Sequence, residues 1–120
     1  MLYYTLKVKD NDYKCRLGAK ECVDVERKLG TNPLNIFMRI AQTQEMPSLE
    51  PIIIMLHASL QKYNHSITLD GTYDIYDEYI EEGNTMMDMV NVIMEIMKAS
   101  GLIPEEAEEE GKNAQKVIKK

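Results

Sequence analysis

The sequence predicts a mainly α fold: a small helical domain of about five helices led by an N-terminal β-hairpin. Three observations carry this reading. From residue 19 to residue 101 the apolar residues recur at helical spacing, in segments punctuated by Gly, Pro and Ser/Thr/Asn caps. Residues 2–17 alternate instead with a period of two. The chain has 120 residues, and a chain of this size buries roughly 65% of its unfolded surface, enough for one core without staples. A single globular domain over residues 1–104 is therefore expected.

The hairpin comes first. In "LYYTLKVKD", Leu2, Tyr4, Leu6 and Val8 share one face while Tyr3, Thr5 and Lys7 take the other. Turn chemistry lies around Asp10, Asn11 and Asp12, and "YKCRL" forms the return strand. A lone hairpin is marginal in water and must lean on helices. Cys22, Val23, Glu26 and Leu29 then open a short helix that stops at Gly30. Thr31 or Asn32 caps a second helix, with Pro33 near its first turn and Leu34, Phe37, Ile40 and Ala41 on one side.

"QTQEMP" is read as a loop, after which Ser48 caps the third helix. That helix is apolar around most of its girth: Leu49, Ile52, Ile53, Leu56 and Leu60 make a stripe, widened by Ile54, Met55 and Ala58. Thr68 caps a fourth helix, whose Leu69, Tyr73, Tyr76 and Ile80 follow helical spacing up to Gly83. Thr85 with Asp88 resembles a capping box and starts a fifth helix, lined by Met86, Met89, Val90, Ile93 and Met97 and closed by Gly101. After Pro104 an acidic block, "EEAEEE", gives way to a basic one. Too few apolar residues remain to offset the ordering entropy, so 105–120 reads as a mobile charged tail.

Composition narrows the function. The formal net charge is −6 and the pI near 4.9, whereas nucleic-acid binding draws on a positive field that releases counterions. The longest uncharged run, Pro51–Gln61, falls short of the ~20 apolar residues a bilayer requires. No membrane or nucleic-acid partner is expected, and the predicted location is the cytoplasm. Cys15 and Cys22 read as reduced core residues, with a disulfide as the alternative.

Enzyme signatures fail one by one. The chain has no glycine-rich phosphate loop, nucleophile elbow or paired-cysteine zinc pattern. His57 and His65, the only histidines, have no second ligand at metal spacing, so a packed or interface histidine is expected at position 57. "DNDYKCRLGAKE" places Asp10, Asp12 and Glu21 at calcium-loop positions. Lys14 and Cys15, however, stand where a ligand and a glycine are needed. Asp70, Asp74, Asp77 and Glu81 recur on one solvated face, which suits solubility or a basic partner better than catalysis. No catalytic residue, metal or cofactor is expected.

The methionines remain. The chain holds nine, and Met86, Met87, Met89, Met94 and Met97 crowd into the fifth helix. Methionine is flexible and polarizable and suits surfaces that adapt to a partner. Met87 and Met94 lie off the central stripe, so this helix can serve the core and an interface together.

Four stretches also carry a resemblance: "VERKLGTNPL" at 25–34, "MPSL" at 46–49, "LHASLQKY" at 56–63 and "ITLDGTYDIYDEYIEEG" at 67–83. In this order they resemble the tail assembly chaperones of long-tailed phages and prophages of Gram-positive bacteria. The resemblance implies a small, acidic, mainly helical and non-enzymatic protein. It would coat and solubilise the tape-measure protein and recruit tail-tube subunits in the host cytoplasm, and be absent from the mature virion. Helix-in-groove binding of an apolar client then nominates Ile53, Ile54, Leu56, Met86, Met87, Met89 and Met94 as partner-binding residues. An open hairpin edge can also pair with a second copy, making a homo-oligomer. The competing expectation is a bacterial helical adaptor or regulatory module that binds a single protein.

Overall fold

The computed structural model describes residues 2–104; the tail expectation for 105–120 lies outside the described residues. The order is β1 (Tyr4–Val8), β2 (Asn11–Cys15), α1 (Ala19–Leu29), α2 (Pro33–Thr43), α3 (Leu49–Gln61), α4 (Leu69–Glu81) and α5 (Met86–Ala99). The strands form one antiparallel hairpin that pairs Val8 with Asn11, Leu6 with Tyr13 and Tyr4 with Cys15.

Its two-residue turn is Lys9–Asp10, earlier than the Asn/Asp chemistry alone suggests. A tertiary contact decides the matter. Lys9 takes a left-handed φ of 53°. Its backbone N–H donates to Glu82 Oε2 at 2.9 Å, and its Nζ donates to Glu81 Oε1 at 3.1 Å. The acidic C-terminal end of α4 thus holds the hairpin tip.

Helix ends follow the local chemistry. The Asn32 side chain accepts from the Leu34 N–H, and Gly30 closes α1 with a φ of 72°, where a Cβ would be strained. The Thr68 side chain accepts from the Gly71 N–H, and Thr85 with Asp88 completes a reciprocal capping box. Ser48 occupies the cap position of α3 without a side-chain bond.

α3 is the centre of the molecule, touched by α1, α4, α5 and β2. Ile52, Ile53, Met55, Leu56 and Leu60 are fully buried. Beyond its first turn, where Leu49, Glu50 and Pro51 reach solvent, only the stripe of Ile54, His57 and Gln61 opens outward. The Ser59 hydroxyl, enclosed in this core, donates to the Leu56 carbonyl at 2.7 Å, so its burial leaves no lone donor. The inner hairpin face supplies Leu6, Val8 and Cys15, and α5 supplies Met89, Ile93, Ile96 and Met97.

α4 is turned relative to the expected stripe. Thr72, Ile75, Tyr76 and Tyr79 face the core, while Leu69 and Tyr73 remain 40% exposed. Thr72 can be buried because its hydroxyl donates to the Thr68 carbonyl at 2.9 Å. No helix among the described residues is long and apolar enough to cross a membrane.

Both cysteines are free thiols. Burial pushes the Cys15 thiol up to about 12, against the opposing pull of Ser59 and the Leu6 backbone. The thiolate is the reactive form. Iodoacetamide is therefore expected to label half-buried Cys22 first and to leave Cys15 untouched until denaturant opens the core; peptide mapping of the labelled chain checks this.

A candidate partner-binding surface on the second helix

α2 is the least covered helix. Its sequence, "PLNIFMRIAQT", is rich in large apolar side chains, yet only Pro33 is buried. Leu34, Ile36, Phe37 and Ile40 reach the edge of the core and stop half-buried, and Met38 is 55% exposed. The reason lies in the packing: α1 is the main neighbour of α2, and α3 gives its own apolar girth to α1, α4, α5 and β2 instead.

The chain leaves α2 through Gln44, whose φ of 58° reverses its direction, and returns along Glu45–Ser48 into α3. This bend encloses an open cleft of about 650 Å³. Ile36, Met38, Ile40, Met46, Pro47 and Pro51 give its apolar lining, and Asn35, Arg39, Gln42 and Thr43 give a polar border. Met46 is 55% exposed and Leu49, the first residue of α3, 38%. The cleft thus mixes flexible apolar side chains with polar ones, Glu45 among them, a composition found in protein contact surfaces. A side chain or a short helix face fits such an opening.

The sequence-nominated residues divide differently. Ile53, Leu56 and Met89 are 0% exposed, which corrects their nomination: in this fold they touch only the core. Ile54, Met86 and Met94 are half-buried, and Met87 is 39% exposed. Met87 and Met94 share one flank of α5 with exposed Asn91, so an apolar strip survives there. The structure brings these seven residues into no common groove.

Sequence periodicity does not single out the cleft on α2, because Leu34, Phe37, Ile40 and Ala41 form one side of the helix by themselves. Ile36 and Met38 fall outside that face. Apolar residues left over on a short helix beside a proline-containing loop were the available signal.

His57 lies on the open stripe of α3. Burial lowers its pKa from 6.5, the charge of Lys28 adds to the effect, and the Ile67 carbonyl opposes it. A histidine that holds its proton less tightly when folded gives stability that is full above its unfolded pKa and falls as pH drops through that value. The urea midpoint is expected to fall modestly between about pH 7.5 and about pH 5, and His57→Gln to flatten that slope, as titrated unfolding curves would measure.

The chain belongs to DUF6096, a family of unknown function. The family matches residues 3–118, so every element from β1 to α5 lies inside the matched stretch. Comparison with curated proteins and with solved structures finds no match. DUF6096 membership thus ties this hairpin-plus-helices architecture to a family without assigning it a reaction or a partner.

Proposed function

We propose that this chain is a non-enzymatic tail assembly chaperone of a long-tailed phage or prophage. In the host cytoplasm it would coat and solubilise the tape-measure protein and recruit tail-tube subunits, then leave before the virion is complete. The observation that carries the reading is α2, whose apolar side chains outnumber those its neighbours can cover. A helical client with exposed leucines would lay its apolar face into the cleft beside Met38 and Met46.

The resembling stretches support the same surface. "VERKLGTNPL" runs into α2, and "MPSL" runs out of the cleft into α3. Half-exposed methionines also suit a transient coat, since many modest, adaptable contacts can release a client that one tight anchor would hold. The acidic face of α4, with Asp70, Asp74 and Asp77 exposed, would keep the loaded complex dispersed.

Co-expression tests the proposal. The full chain, produced with a fragment of the tape-measure protein encoded beside it, should bring that fragment into the soluble fraction and co-purify with it. A fragment that stays insoluble, with no complex formed, overturns the proposal. A chain that instead holds one unrelated partner would favour the adaptor reading.

A further inference from the structure

The two edges of the hairpin differ. A two-residue turn closes on a hydrogen-bonded pair, so Val8–Asn11, Leu6–Tyr13 and Tyr4–Cys15 exchange the ladder bonds. The N–H and C=O groups of Thr5 and Lys7 on β1, the N–H of Lys9 in the turn, and the groups of Asp12, Lys14 and Arg16 on the β2 side then point outward. Three of these positions confirm the phase. The Arg16 N–H donates to the Ser59 carbonyl at 2.8 Å, Asn64 Nδ2 donates to the Lys14 carbonyl at 2.9 Å, and the Lys9 N–H donates to Glu82. The edge of β2 is therefore covered by the end of α3. Along β1, among the described residues, no partner meets the outward groups of Thr5 and Lys7. Both side chains there are exposed.

We infer that β1 is the site of a two-fold dimer, in which the strand pairs antiparallel with β1 of a second copy and the two hairpins join into one four-stranded sheet. Unpaired backbone groups in strand register call for an extended partner, and the stretch from Leu2 to Val8, β1 with the two residues before it, is complementary to its own reverse. An axis at Thr5 sets Thr5 beside its copy, a favourable cross-strand pair. It sets Lys7 beside the second copy's Tyr3, which keeps the two lysines apart. On the inner face it sets Tyr4 beside Leu6 and Leu2 beside Val8.

The Leu2 pairing gives the inference its second support. Leu2 is 68% exposed, the most open large apolar side chain among the described residues. It is not loose at the backbone, because Arg16 Nη1 donates to its carbonyl at 2.6 Å. The fold thus holds an apolar side chain in water where the second copy would cover it. An axis at Lys7 would instead oppose like charges, and one at Tyr3 would leave most of the strand unpaired.

Sedimentation or light scattering of the full chain across a dilution series tests the inference. The wild type should show dimer mass that dissociates on dilution. Thr5→Lys, which opposes two cations at the axis, should raise the dimer Kd at least about tenfold. Thr5→Pro should do the same, since it removes an N–H that the hairpin itself does not use. Far-UV circular dichroism should match the wild type for both, and Met38→Glu should dimerise as the wild type does. A wild type that stays monomeric at every concentration overturns the inference. So does a dimer that keeps its affinity in folded Thr5→Lys, or one that only Met38→Glu dissociates.

Discussion

Leu56→Ala is expected to destabilise the protein by about 2–5 kcal/mol, because Leu56 is 0% exposed at the centre of α3. That is a large part of the total stability of a domain this size, roughly 5–15 kcal/mol. In thermal melts the midpoint should fall by about 10–20 °C. Ile53→Ala belongs to the same class, since Ile53 is also sealed. Ile54→Ala should cost far less, about 1 kcal/mol, because its side chain opens on the solvent stripe beside His57. The contrast between adjacent residues separates a core helix from a binding groove. If Ile53→Ala melted like the wild type and Ile54→Ala collapsed, the assigned phase of α3 would be wrong.

Much of this architecture was legible in the sequence because local rules and tertiary packing agree. Asn32, Thr68 and Thr85 cap where their side chains can reach backbone donors. The alternation of Leu6 and Val8 against Thr5 and Lys7 appears unchanged as buried against exposed. The failures fall where several faces of one helix are apolar. On α4, Leu69 and Tyr73 compete with Thr72, Ile75 and Tyr79 for the core, and periodicity cannot rank them. The fold chooses the set that includes Thr72, because a hydroxyl bonded to its own helix can be buried at little cost. On α5, Val92 and Ile96 join Met89 and Ile93 on the buried face, while Met87 stays outside it, as its place off the stripe predicts.

The candidate surface was less legible for a related reason. An apolar helix such as α3 suggests a partner when its neighbours are unknown, but here α1, α4, α5 and β2 surround it. Enclosing α3 occupies the faces that could have covered α2. Excess apolar surface therefore appears on the shorter and less apolar helix. The surplus of apolar residues is legible in the sequence, and the fold leaves its exposed part on α2 and on the flank of α5 rather than on α3.

That displacement fixes the second large effect. Met38→Glu combined with Met46→Glu is expected to weaken binding of an apolar helical client roughly 100-fold, since each would place a carboxylate where the client's apolar face must dehydrate. Both side chains are 55% exposed in the free chain; Met46 lies in the loop before α3, and at position 38, within α2, glutamate is a good helix former. The melting midpoint should therefore stay near that of the wild type, a change within about 0.5 kcal/mol. Titration of the purified variant against a labelled tape-measure peptide measures the first quantity, and thermal denaturation the second. Met87→Glu is the informative comparison, because Met87 is 39% exposed on the flank of α5 and remote in sequence from the cleft. A seat on α2 requires Met87→Glu to bind nearly as the wild type does. If Met87→Glu abolished binding while the double variant kept it, the client would ride on the methionines of α5, and the cleft beside Met38 would be an unused consequence of how α3 is enclosed.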